Sequence, residues 1–167
     1  WAREGIGSKH QRHSKPIEEK ESWKWVESYQ AVSAVQRRCP KPCLVVMADR
    51  EADIHEVFAR QAQTPRGAQL LIRAERSRNR KVIDDEHGSE FLWTMLEQQP
   101  ILGTRQILIP PSEKRAARQA TLAVRTLPVT LQPPRGKAEL PAVRVWAVLA
   151  QESDDPETRA LLPKIQS

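Results

Sequence analysis

The sequence predicts an α/β fold whose later part turns into an antiparallel β-rich region. Three observations carry this. Leu44 to Ala48 form a continuous apolar run, the pattern of a strand buried in a parallel or mixed sheet. Apolar residues at helical spacing flank that run on both sides. After Gly103 the chain changes to short β-rich segments separated by proline and glycine.

In chain order, residues 1–20 are polar and basic without periodicity, so an exposed, flexible loop is expected. Residues 19–38 predict an amphipathic helix, with Trp25, Tyr29 and Val32 at i, i+4 and i+7 and Val26 and Val35 beside them. Pro40 and Pro42 end it and lead into the strand at 44–48. A second helix is expected over 52–62, where Ile54, Val57, Phe58 and Gln61 recur at helical spacing. Thr64-Pro65-Arg66-Gly67 is a turn. A second strand follows at 69–74, then a basic loop over 75–81. Ser89 is placed to cap a short helix over 90–98, with Phe91, Leu92, Met95 and Leu96 on one face. Strands are then expected at 105–109, 119–126, 129–131 and 143–150, arranged as an antiparallel meander. In the last of these, Val143, Val145, Ala147 and Leu149 alternate with Arg144, Trp146, Val148 and Ala150. The tail from Gln151 reads as a loop, and the last residues carry no pattern.

The chain has 167 residues, room for a sizeable core, with 39% hydrophobic and 29% charged residues. Its net charge of +6 is unevenly spread. Residues 66–81 hold six Lys/Arg against one acid, and residues 104–137 hold seven against one. Residues 82–103 between them hold five acids and no Lys or Arg. Such clustering suits a polyanionic partner, nucleic acid being the commonest. A solvated basic surface accounts for it equally well. No apolar stretch approaches the ~20 residues that span a membrane, and no signal-peptide pattern opens the chain. The expectation is a cytoplasmic protein, and an incomplete one.

Chemistry concentrates at Asp49. It follows the first strand, where open α/β sheets place ligand-handling groups. A carboxylate there can hold a divalent cation for phosphoryl transfer, or it can cap the helix that follows. Spacing leaves both open and weights the cap more heavily. Glu51 and Asp53 complete an acidic cluster, but residues two apart on a helix do not face one another, so the three should not converge on one ion. The basic loop with Arg73, Arg76, Arg78, Arg80 and Lys81 follows the second strand and can reach the same sheet edge. Its guanidinium forks suit phosphate, although a solvated loop is the simpler reading. Cys39 and Cys43 make no disulfide framework. With His10 and His13 they have zinc-ligand types, but prolines stiffen the Cys pair and the His pair lies in the flexible stretch. His55 reads as a helix-face residue. There is no glycine-rich phosphate loop and no nucleophile elbow.

Ala48-Asp49-Arg50-Glu51-Ala52-Asp53-Ile54 resembles the "DREAD" signature of bacterial cut-and-paste transposases of the insertion-sequence-four group, relatives of transposon Tn-five. Leu71-Ile72-Arg73-Ala74 is similar to that family's next strand with its basic turn. Leu92-Trp93-Thr94-Met95-Leu96-Glu97-Gln98-Gln99-Pro100-Ile101-Leu102-Gly103 resembles the helix that precedes its inserted β-domain. Arg115-Ala116-Ala117-Arg118-Gln119-Ala120-Thr121-Leu122 resembles its strand entry.

The resemblance implies a partial RNase-H-like core interrupted by an antiparallel β insertion domain. Its expected boundaries are 1–20 for the basic loop, 21–90 for the partial core, 91–150 for the helix and β insertion, and 151–167 for the tail. It implies an Asp-Asp-Glu site binding two Mg²⁺ ions, which activate water or a 3′-hydroxyl for attack on DNA phosphodiesters. Asp49 matches the second carboxylate and is the implied metal ligand. Arg73 and, more loosely, Arg76 match the turn that contacts transposon-end DNA, with Arg78 and Arg80 beside them. The family acts as a homodimer on DNA, away from membranes. The other two carboxylates have no counterpart here, so a fragment inactive by itself is expected. A residual DNA-binding module and a pseudogene product without function are the alternatives.

Overall fold

A computed structural model describes residues 17–78, 80–84 and 88–153. His10 and His13, most of the expected N-terminal loop, and the tail beyond Ser153 lie outside the described residues. The fold is mixed helix and sheet, in two compact units. The first holds the described residues up to Arg78 together with Pro133–Val143, and the second holds the rest. No helix among the described residues is long and apolar enough to cross a membrane.

The first unit opens with helix α1 (Trp23–Arg38), followed by β1 (Val45–Ala48), a 3-10 turn at Arg50–Ala52, α2 (His55–Ala62) and β2 (Gln69–Ile72). β1 and β2 pair in parallel, from Val45↔Gln69 to Ala48↔Ile72. The expected stripe on α1 is rotated. Val26, Tyr29, Ser33 and Gln36 are buried, while Val35 is exposed. The reason is polar anchoring. The Tyr29 hydroxyl donates to Ala68 O at 3.1 Å, and Ala68 N donates to Ser33 Oγ at 3.1 Å. Gln36 donates to Cys39 O and Pro42 O and accepts from Leu44 N at 2.6 Å, which holds the Pro-rich link into β1. A buried backbone N–H or C=O needs such a partner, and the polar groups of α1 supply it to both strand entries.

Gly67 lets this contact form. A Cβ there would lie 2.6 Å from the Tyr29 hydroxyl oxygen and 2.9 Å from Thr64 Cγ2. Arg66 beside it takes φ 58°, a left-handed turn residue.

The parallel pair is covered on one face only, which corrects the expectation of a strand buried on both faces. Val45 is 48% exposed, Met47 73% and Leu71 55%, all on the outward side of the pleat. Residues 133–143 pack with this unit through the Lys137–Glu56 ion pair and the His55–Pro141 contact.

The second unit contains β3 (Lys81–Asp84), β4 (Gly88–Phe91), α3 (Leu92–Gln98), β5 (Gly103–Ile109), β6 (Arg118–Leu131) and β7 (Val143–Glu152, all but its first residue). Its strand order is β4-β3-β6-β5, and β7 also pairs β6. This is not the simple meander that the sequence predicts. β6 is the hub, because at this length it holds β5 along residues 118–124 and β3 at residues 130 and 131. Pro128, read from sequence as a break between two strands, falls in the gap between those partners, where its missing N–H is not needed. Ser153 N donates to Thr121 O and Thr126 Oγ1 donates to Ala147 O, so β7 runs antiparallel to β6. Arg118 and Glu152 form a two-point ion pair between β6 and β7.

Two sequence expectations change here. Ser89 does not cap a helix; it lies in β4 opposite Ile83, and α3 starts only at Leu92 because the β3–β4 hairpin claims the residues before it. Residues 80–84 and 88–90, placed by sequence with the partial core, group with the antiparallel sheet. The expected alternation in β7 holds: Val143 is buried while Arg144, Trp146 and Val148 are exposed.

Candidate functional site

The candidate site lies where β1 and β2 end. Because Ala48 is paired with Ile72, the two parallel strands stop level with each other. Asp49 leaves β1 at the point where Arg73 leaves β2, and Arg73 N donates to Ala48 O at 3.0 Å, extending the ladder. A carboxylate and a guanidinium-bearing residue therefore occupy neighbouring positions at the carboxyl end of a parallel sheet, the usual place for ligand chemistry in such sheets. Both are exposed.

Asp49 also serves as a cap. In extended backbone, its Oδ1 accepts from Glu51 N at 3.1 Å and starts the 3-10 turn. A carboxylate cap keeps its second oxygen and further lone pairs for another partner, so capping and ligation are compatible at this residue. The three acids of the cluster diverge. Glu51 takes Lys24 from α1 at 3.4 Å. Asp53 is 4% exposed, and its Oδ2 accepts from Glu75 N at 2.9 Å. Among the described residues no group of three or more His, Cys, Asp or Glu is arranged to hold a metal ion.

Asp53 gathers the basic turn. Besides taking Glu75 N, its backbone O accepts from Arg78 Nη1 at 2.6 Å. Arg76 to Arg78 form a 3-10 turn, and Glu75 Oε1 accepts from Ser77 N at 3.2 Å. Glu75 also lies 3.8 Å from Arg50 Nε. The Ser77 hydrogen bonds, with the Arg50 and Arg78 charges, hold the Glu75 carboxyl below its usual value. The acidic segment after β1 and the basic turn after β2 are thus tied into one substructure.

Of the sequence-derived site residues, Asp49, Arg73, Arg76 and Arg78 fall in this substructure of the first unit, whereas Arg80 belongs to the second. There Arg80 O accepts from Leu92 N at 3.0 Å, at the start of α3. Arg78 spends one guanidinium nitrogen on the Asp53 backbone. Sequence reasoning missed Asp53 and Glu75 as the residues that join the two segments. The pattern shows an acid at each place, but not that Asp53 turns inward. His55, read as a helix-face residue, is buried at 4% exposure, with Nε2 2.8 Å from Pro141 O. A carbonyl only accepts, so Nε2 carries a proton. Cys39 and Cys43 are exposed and free.

Set against known proteins, the chain matches no family model and no curated protein.

Proposed function

We propose that this chain is the central portion of a cut-and-paste DNA transposase of the insertion-sequence-four type. Its first unit is part of an RNase-H-like core, and its second is an antiparallel β insertion. One observation supports this most: Asp49 and Arg73 stand side by side at the carboxyl ends of paired parallel strands. That is where a metal-ligating carboxylate and a phosphate-gripping arginine have to meet to act on one phosphodiester. The apolar outward face of β1 and β2 adds support, since parallel sheets are normally covered on both faces. A larger sheet with further layers provides that cover.

In the intact enzyme Asp49 ligates Mg²⁺, Arg73 and Arg76 hold transposon-end DNA, and the protein works as a cytoplasmic homodimer. The residues described do not fit a two-metal centre by themselves. Asp49 is one carboxylate, Glu51 and Asp53 turn to other partners, and one carboxylate is too few for two divalent cations. The chain alone therefore does not cut DNA, while the basic residues of 66–81 suit contact with its phosphates.

Two assays on the purified chain test this. In fluorescence anisotropy with duplex DNA, affinity should fall steeply with salt, since phosphate neutralisation releases counterions. Binding that ignores salt, or no binding at low salt, would sink the DNA reading. In a nicking assay with Mg²⁺ the chain should be inert; cleavage abolished by Asp49→Ala would overturn the claim of inactivity while keeping the transposase reading.

A further inference from the structure

The link from α1 to β1 carries two exposed free thiols, Cys39 and Cys43, at the two ends of Cys39-Pro40-Lys41-Pro42-Cys43. The chain bends between them, at Lys41 and Pro42. Gln36, only 8% exposed, spans that bend from the inner side. Its Nε2 donates to Cys39 O at 3.1 Å and to Pro42 O at 2.8 Å. The carbonyl of the first cysteine and the carbonyl just before the second therefore meet on one nitrogen. Gln36 Oε1 accepts from Leu44 N at 2.6 Å, and Leu44 O accepts from Gln69 N at 2.8 Å where the parallel pair begins. The two prolines narrow the conformations of the link further. A disulfide requires Cα atoms within about 7 Å, and a link already drawn in at both ends has little chain entropy left to lose in reaching that distance.

The surroundings favour thiol exchange over metal binding. Zinc takes four ligands, and among the described residues no third His, Cys, Asp or Glu is grouped with the pair. Arg37, Arg38 and Lys41, all exposed, are the only charged residues from Ser28 to Ala48. Such a positive stretch attracts an anionic small-molecule disulfide of the glutathione class.

We propose that Cys39 and Cys43 form a reversible intrachain disulfide, a redox-controlled lock on the entry of the strand that leads to Asp49. One cysteine thiolate attacks a sulfur of glutathione disulfide, which forms a mixed disulfide and releases one glutathione thiolate. The other cysteine thiolate then attacks the protein sulfur of the mixed disulfide. That closes the ring and releases the second glutathione thiolate. In sum the two protein thiols give up two electrons and two protons, and the oxidant takes up both as two thiols. In the reduced protein Gln36 alone holds the turn, and in the oxidised protein a covalent bond shares that task. A reducing compartment returns the pair to thiols, as is usual for redox-sensing bridges inside cells. The dithiol uses neither Asp49 nor Arg73 and is independent of the transposase reading.

The test uses the full chain, reduced, desalted and then exposed to equal amounts of reduced and oxidised glutathione. The intact mass should fall by about 2 Da, with both thiols lost together. The oxidised protein should melt a few degrees above the reduced one, and dithiothreitol should erase the difference. Cys39→Ser and Cys43→Ser should each stop at the mixed disulfide, about 305 Da heavier, without that rise. Both positions are exposed, so serine is accommodated at either. The proposal is overturned if the parent itself stops at the mixed disulfide, which shows that the turn does not close the ring. It is equally overturned by disulfide-linked dimers on non-reducing gels, by thiols that stay reduced, or by an oxidised form that melts no higher than the reduced one.

Discussion

Asp53 Oδ2 accepts a hydrogen bond from Glu75 N at 2.9 Å, across 22 residues of chain. This contact joins the two segments that leave the parallel strands. It places the basic turn beside Asp49 without using the Asp49 carboxylate. Asp53 is almost fully buried, so removing its carboxylate leaves a backbone donor without its partner. Asp53→Ala should cost about 1–3 kcal/mol in denaturant unfolding. Asp53→Asn, which keeps an acceptor oxygen, should cost less. Equal losses for both would show that charge, not the hydrogen bond, makes the contribution.

Gly67 and Tyr29 form a coupled pair. Gly67→Ala forces a methyl group toward the Tyr29 hydroxyl, 2.6 Å from the new carbon, and toward Thr64. Overpacking of this kind costs about 1–3 kcal/mol. Tyr29→Phe removes the hydroxyl, and with it the bond to Ala68 O. The double variant should then be more stable than the sum of the single losses by at least ~0.5 kcal/mol, measured as a double-mutant cycle. Strict additivity would show that Thr64, not Tyr29, sets the limit at this turn.

Glu75 links stability to acid pH. Its folded value is lowered, chiefly by the Ser77 hydrogen bonds, from an ordinary 4.5. A depressed carboxylate contributes stability that is present above its unfolded value and is lost as pH falls through the folded value. Glu75→Gln should therefore lower the thermal midpoint at neutral pH. The gap to the parent should close as pH falls below about 4.5. A gap that stays constant down to strongly acid pH would assign the effect to shape and not to charge.

Arg73 and Arg78 differ in what they hold. Arg78 donates to the Asp53 backbone, so Arg78→Ala should lower both stability and DNA affinity. Arg73 is exposed and its backbone alone continues the β ladder, so Arg73→Ala should leave the unfolding midpoint within about 0.5 kcal/mol. It should reduce the slope of log affinity against log salt on duplex DNA by about one. An unchanged slope would remove Arg73 from the phosphate contacts.

Much of this protein was legible along the chain. The apolar run at 44–48, the helical spacing on either side of it and the alternation in 143–150 located β1, α1, α2 and β7, because each pattern repeats over enough residues to state its period. Asp49 was legible as well, because it follows a strand directly. β3 and β4 were not. They are four residues each, too short to show a period, and Ser89 mimics a helix cap in that stretch. The inner face of α1 was misread because Ser33 and Gln36 are buried by hydrogen bonds, which hydrophobic patterning cannot register.

The sequence by itself determined where chain direction changes, where charge collects, and which residue types stand at the strand ends. Only tertiary structure decided which of them meet. Asp49, Glu51 and Asp53 are near neighbours in sequence, yet they go to a local backbone N–H, to α1 and to the turn after β2. Pairing in register set Asp49 and Arg73 level, and β6 became the hub because its length reaches partners distant in sequence. Such pairings depend on which backbone groups find partners and which side chains are buried, and that is settled by the whole fold.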